Sequence, residues 1–250
     1  AKEFGWLGLS DAAARLESTI ATMQRLEKYR GHLYNWYDTQ TLIPLEPKYV
    51  SSVDSGNLAG HLIALANCCA DWSSTPADDL TKLDGIADVA NILAQECTGL
   101  PDDRRKLRPL RHQLETHIAA FRRSLNKARE APEMLSVRLI EFAVQAASIH
   151  SSAADITVEL EQPSGSQLLH WASALRETIE SQFRDASFGH AAVLHMKERL
   201  QQIESSSRAL ALDMEFGFLL DPQRMLFAIG FRVPEAMRDE SCYDMLASEA

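Results

Sequence analysis

The sequence predicts a mainly α-helical protein with one β-hairpin near its C-terminal end. Apolar residues recur every three or four positions over most of the chain, which buries one face of a helix. Only one late segment alternates apolar residues in the manner of strands. With 11 Gly and 9 Pro in 250 residues, there is little room for the many turns of a β-sandwich.

Taken in order, Ser10-Asp11 can cap a helix carrying Ala13, Leu16, Ile20, Met23 and Leu26 on one stripe, ended by Arg30-Gly31. Residues 32–53 break the helical period and collect aromatics, prolines and hydroxyls. A second helix opens near Asp54-Ser55 and buries Leu58, Leu62, Leu65 and Cys69. The polar stretch from Ser73 to Asp79, with Pro76, links it to a block over about 78–212 that reads helical throughout. There Leu107, Leu110, Leu114, Ile118, Phe121 and Leu125 form one stripe, with Pro109 in its first turn or at a kink. Pro132-Glu133 opens another helix, residues 161–165 break the pattern, and helices follow over about 166–184 and 190–212. Phe216, Phe218 and Leu220 then alternate, Asp221-Pro222-Gln223-Arg224 suits a type I turn, and Leu226 to Phe231 is apolar. Met237 to Ala250 reads as the start of a further helix. The boundaries predicted are 1–75, 76–207 and 208–250.

Composition excludes several classes. A net charge of −10 argues against nucleic acid as a partner, because phosphate contacts need a basic surface. No apolar run approaches the roughly 20 residues of a membrane span. Cys68, Cys69, Cys97 and Cys242 show no CxxC spacing, and His112/His117 and His190/His195 are five apart where one helical face needs three or four. No metal and no cofactor is expected, and phosphate loops, dinucleotide fingerprints and nucleophile elbows are missing from the sequence. Both ends read as boundaries inside a longer chain. Residues 102–129 hold nine Lys/Arg against three Asp/Glu, which suits a solvated helix face or an anionic lipid surface.

The most unusual segment is His32-Leu33-Tyr34-Asn35-Trp36-Tyr37-Asp38-Thr39. If it is extended, Tyr34, Trp36 and Asp38 share one face and Tyr37 points the other way. Aromatic rings beside a carboxylate suit a sugar: the C–H face of a pyranose packs on a ring, and the carboxylate accepts from hydroxyls. Core packing around a turn is the alternative. Asp54 and Ser55 can cap the second helix, or Asp54 can hold sugar hydroxyls or act as a base. The amides and dipole of a helix N-terminus stabilise its anion, which does not suit a general acid. Asp239, Glu240, Tyr243 and Asp244 form a third cluster. It is either a set of helix caps or a helix face shared by Asp239 and Tyr243.

Two strings carry a family resemblance. One runs from Tyr29 through Trp36 to Thr39 and on through Pro44-Leu45-Glu46-Pro47-Lys48-Tyr49-Val50-Ser51-Ser52-Val53-Asp54-Ser55-Gly56-Asn57-Leu58 to Leu62. The other joins Phe216-Gly217-Phe218-Leu219-Leu220-Asp221-Pro222, Leu226 to Phe231, and Tyr243 to Ala250. In this order they resemble the cyclic β-1,2-glucan synthetases, over about 1–72 and 208–250. Leu220 and Cys242 stand where a tyrosine is common in that family, and Gly217 and Phe231 also depart from it. The resemblance implies part of a glycoamylase-like α/α toroid with a helical insertion over 76–207. It implies a large parent at the bacterial inner membrane, this part being cytoplasmic. It also implies β-1,2-glucan as partner, beside the other domains of the parent, and closure of the glucan by a retaining, two-carboxylate transglycosylation. Asp54, Asp239 and Glu240 are then the catalytic candidates. Tyr34, Trp36, Asp38, Asp54, Ser55, Tyr243 and Asp244 are the substrate-binding candidates. A non-catalytic helical module that holds glycan or docks neighbouring domains is the alternative.

Overall fold

The periodic stripes become helices. In the computed structural model, residues 1–75, 78–100, 106–160, 163–187 and 189–243 are described, with backbone only for 163–165. Among them lie α1 (Leu9–Arg25), α2 (Ser52–Ser74), α3 (Asp79–Thr98), α4 (Leu107–Arg129), α5 (Leu135–Leu160), α6 (Pro163–Ala186) and α7 (His190–Leu212). The strands are short: β1 (Lys28–Tyr29), β2 (His32–Leu33), β3 (Tyr49–Ser51), β4 (Leu220–Asp221), β5 (Leu226–Phe227), β6 (Gly230–Arg232) and β7 (Met237–Arg238). The protein is mainly α, as the sequence predicts. Contacts divide it into two units, Ala1–Ala14 with Pro76–His195, and Arg15–Thr75 with Met196–Ala250.

In the first unit α3, α4, α5 and α6 close a four-helix bundle, in which α3 packs on α4, α4 on α5, α5 on α6, and α6 on α3. Leu83, Ile86, Leu114, Phe121, Phe142 and Leu175 are among its fully buried side chains. Each such burial contributes about 1.5–3 kcal/mol. Phe121 and Phe142 meet with ring centroids 5.4 Å apart. Pro109 falls in the first turn of α4, where no intrahelical N–H is needed.

The start of α1 differs from the expected Ser10-Asp11 cap. Asp185, on α6, accepts from the backbone N–H groups of Leu9 and, at 3.0 Å, of Ser10. Asp11 instead accepts from the Ser181 hydroxyl at 2.6 Å and from the Arg184 guanidinium. The capping carboxylate comes from a distant stretch of sequence, so no local pattern could show it. Just before α1 the chain crosses α3 at Gly85, where an added Cβ would lie 2.2 Å from the Gly5 carbonyl carbon. Gln182 fixes the crossing by donating to the Gly5 carbonyl at 2.8 Å.

In the second unit Ile20 of α1, Leu62 of α2 and Leu210 and Ala211 of α7 pack together with Met214. Arg199 grips Glu17 with two hydrogen bonds of 2.7 Å. The β-structure exceeds the single hairpin expected. β1 pairs with β2, β4 with β5, and β3, β6 and β7 form an antiparallel sheet with β6 central. The β4–β5 hairpin is present but short, because Phe216–Leu219 is a 3₁₀ turn and not a strand. Its loop is an α-turn: Met225 N–H donates to the Asp221 carbonyl at 2.8 Å, and Met225 itself has φ 55°.

The helix expected from Met237 is absent over 237–243. β7 pairs with β6, and the amides of Asp239 and Tyr243 donate to the Gly230 and Phe227 carbonyls. The backbone groups a helix would use are taken by neighbouring strands. Residues 244–250, Asp244 included, lie outside the described residues.

His32 is the buried anomaly of this unit. It is 0% exposed, neither ring nitrogen has a hydrogen-bond partner among the described residues, and Phe216 and Phe218 stand edge-on to its ring at 4.8 and 5.3 Å. Burial lowers its pKa below the ordinary 6.5, with Glu215 acting in the opposite direction.

Gly85→Ala should destabilise the bundle by about 1–3 kcal/mol in urea unfolding, because the close crossing has no room for a methyl group. Gly60→Ala in α2, where nothing lies within 4 Å, should stabilise by about 0.5–1 kcal/mol. Because the folded His32 resists protonation, its contribution is complete above pH 6.5 and is lost as pH falls below it. The thermal stability of the second unit should therefore fall between pH 7 and 5, and His32→Leu should flatten that dependence.

Candidate functional site

The segment predicted to be extended bends after Leu33, and a network of local hydrogen bonds holds the bend. The Tyr37 hydroxyl accepts from Tyr34 N–H at 2.8 Å and donates to the Glu27 carbonyl at 2.7 Å. Trp36 and Leu45, and Asp38 and Ile43, are joined by backbone hydrogen bonds of 3.0 and 2.9 Å, so 36–45 forms a small antiparallel arm. At its tip Asp38 Oδ1 accepts from the Gln40 and Thr41 amides and from the Thr41 hydroxyl, at 2.7–2.9 Å. The Thr41 amide and hydroxyl, then the Gln40 amide, hold the Asp38 carboxyl below its usual range. Asp38 is thus a turn-building residue, with its Oδ1 engaged in its own loop.

Asn35 ties the arm to the start of α2. Its N–H donates to the Tyr49 carbonyl at 3.0 Å, and its Oδ1 accepts from Ser51 N–H at 3.2 Å. Ser51 is the N-cap of α2, accepting from Asp54 N–H at 3.2 Å, so neither Asp54 nor Ser55 is the cap. The sheet sets this start: Ser52 N–H donates to the Ile229 carbonyl at 3.0 Å and Ser52 Oγ donates to the Ala228 carbonyl. Asp54 stands one turn in, exposed, and its carboxylate has no hydrogen bond or ion pair among the described residues.

These elements enclose a groove of about 330 Å³, walled by Leu33, Tyr34, Asn35, Trp36, Asp54, Ser55 and Leu58. Trp36 is 52% exposed and offers a ring to solvent, whereas Tyr34 is 7% exposed. The Tyr34 hydroxyl points at Glu27 at 3.5 Å and Lys48 stands over its ring, so only part of it serves the groove. Since Asn35 Oδ1 is engaged by Ser51, its amide N–H₂ remains as a donor. A carboxylate acceptor, an amide donor, the Ser55 hydroxyl and an exposed indole together suit an uncharged polyhydroxylated ring. Asn35 carries no sequence signal, but Ser51 and Asp54 three apart is a capping pattern that would have placed the cap.

The third predicted cluster lies apart from this groove. Asp239 accepts from the Tyr49 hydroxyl and, at 3.0 Å, from Arg232. Burial, then the bond to Asp239, raises the pKa of Tyr49. Gly230 makes room for this clip, because a Cβ there would strike the Tyr49 ring. Glu240 is exposed, and its carbonyl accepts from Arg224 at 3.0 Å. Tyr243 is half-buried beside Phe227, and no helix joins it to Asp239. Among the described residues no group of three His, Cys, Asp or Glu could hold a metal ion, and no helix is long and apolar enough to cross a membrane.

No family model matches the chain. It is 44% identical over its full length to cyclic beta-(1,2)-glucan synthase NdvB of Rhizobium meliloti (strain 1021), and it spans 9% of that protein's length. Identity at this level across 251 aligned residues takes in the central helices as well as the two signature strings. Over its whole length the chain is therefore the counterpart of a segment of a cyclic β-(1,2)-glucan synthase.

Proposed function

We propose that this chain handles the β-1,2-glucan itself, within the part of its parent that closes the glucan into a ring by transglycosylation. The groove between Trp36 and Asp54 carries this reading. It sets an exposed indole beside an unpaired carboxylate at a helix N-terminus, in a relative of a cyclic β-(1,2)-glucan synthase. A glucose unit stacks its C–H face on Trp36, and its hydroxyls donate to Asp54 and accept from Asn35. Asp54 stands in the first turn of α2 with its carboxylate open to the groove, which suits an acceptor. The second unit is then part of a glycoamylase-like toroid, and the α3–α6 bundle an insertion in it. Its place is the cytoplasmic side of the bacterial inner membrane, beside the other domains of the parent.

A retaining transglycosylation needs two carboxyl groups about 5–5.5 Å apart. Among the described residues Asp54 is the only carboxylate lining this groove. That observation favours a second reading, in which this segment holds the glucan and the reacting pair is completed elsewhere in the parent.

Titration of the chain with linear β-1,2-glucan, followed by ¹H–¹⁵N NMR, tests the groove. Trp36→Ala should leave stability within about 0.5 kcal/mol, because the side chain is half exposed, and weaken binding roughly tenfold or more. Asp54→Asn should keep the Ser51 cap and cost roughly ten- to a hundredfold in affinity, the worth of hydrogen bonds to a charged group. Wild-type binding by both variants would reduce the groove to a structural cleft. Incubated with linear glucan, the chain should bind without releasing cyclic product. Cyclic product in the mass spectrum would place the catalytic pair within these residues.

A further inference from the structure

A second, larger groove of about 630 Å³ lies in the same unit, and Asp239, a catalytic candidate from the sequence, is among its lining residues. Its wall is a knot of rings. Tyr29 stacks on Phe231 at 5.5 Å, and Phe218 stands edge-on to both at 5.3 and 5.0 Å. The Arg30 guanidinium lies over the Phe218 and Tyr29 rings, 5.4 and 5.8 Å from their centroids. Stacking uses the face of a guanidinium and leaves its N–H edge free to donate. Arg30 is half exposed, and its contact with Glu215 is a loose 4.0 Å. Across the groove stand Arg238 and the Asp239 carboxylate, which Tyr49 and Arg232 hold in place.

We propose that this groove is a second glucan subsite, so that the chain holds β-1,2-glucan at two points. The inference rests on the reading of the first groove as a glucan site. The size falls within the roughly 300–1,000 Å³ of small-molecule sites. The lining mixes donors from Arg30 and Arg238 with an acceptor from Asp239, over an aromatic wall. A phosphate or carboxylate ligand calls for donors alone, whereas a sugar hydroxyl both donates and accepts, so the mixture suits an uncharged sugar. The β1–β2 hairpin supplies Tyr29 and Arg30 to one groove and Leu33 and Tyr34 to the other, and Tyr49 joins both through its carbonyl and its hydroxyl. Two subsites on one frame raise the effective concentration of one glucan segment at the second site once the first is bound. Ring closure needs such an arrangement, because distant parts of one flexible chain must be brought together.

NMR titration of the 250-residue chain with the β-1,2-linked disaccharide, and separately with long linear glucan, tests this. Two sets of resonances should move with the disaccharide, one around Trp36 and one around Tyr29 and Arg238. Arg30→Gln should weaken the second set about tenfold and spare the first, and Trp36→Ala should do the reverse. Long glucan should bind at least about tenfold tighter than the disaccharide, and either substitution should remove that advantage. A single set of shifts, lost in Trp36→Ala and untouched by Arg30→Gln, would overturn the second subsite while keeping the first. Inorganic phosphate shifting the Arg30 set in place of sugar would overturn it in favour of an anion site. No response to either glucan would overturn both grooves.

Discussion

The junction between β3 and α2 is the constraint on which the second unit depends. Within four residues the chain passes from a strand paired with β6 into a 23-residue helix. Two adjacent serines manage the change. Ser51 caps the helix with its hydroxyl and gives its N–H to Asn35, while Ser52 gives both its N–H and its hydroxyl to the Ile229–Ala228 strand edge. The helix N-terminus is therefore pinned to the sheet on one side and to the aromatic arm on the other. Asp54 and Trp36 face each other because of that pinning, with no direct bond between them.

The carboxylates of the chain separate by what they touch. Asp38 and Asp221 close turns, Asp185 caps a helix, Asp11 binds Arg184 and Asp239 clips Tyr49 to Arg232. Each satisfies backbone amides or a cation that burial or a tight turn would otherwise leave unpaired, which is the commonest use of an acid in a fold. Asp54 stands in a groove with its oxygens unclaimed among the described residues. Left unpaired next to an exposed indole, both of its oxygens remain open to a ligand.

The bundle of α3 to α6 is built on other terms. Its interior is aliphatic and aromatic, and the basic stretch of α4 is partly used at home: Arg111 binds Glu115 and the Leu100 carbonyl, and Arg129 binds Asp84. Those pairs favour the solvated-face reading of that stretch over a lipid-binding one. α5 nevertheless keeps Val137, Ile140 and Val144 exposed on one stripe.

What the sequence determined by itself was whatever depends on neighbours three or four residues away: the helices, the β4–β5 turn at Asp221, and the bend-prone character of 32–53. Two long strings also carried the resemblance, because a run of specified residues in a fixed order is read without knowing the fold. The sequence did not determine how residues distant along the chain satisfy one another. Asp185 displaced Ser10 and Asp11 as the cap of α1, and strand pairing to β6 took the amides that a helix at Met237 would have used. Asp38 turned its carboxylate into its own loop, because the Gln40 and Thr41 amides and the Thr41 hydroxyl lie within reach of one oxygen. Tertiary structure alone decided that Asn35 would join Tyr34, Trp36 and Asp54 in one groove. Hydrogen bonds of the Asn35 N–H and side-chain Oδ1 to residues 14 and 16 positions away set that placement, and no local periodicity encodes a partner at such a distance.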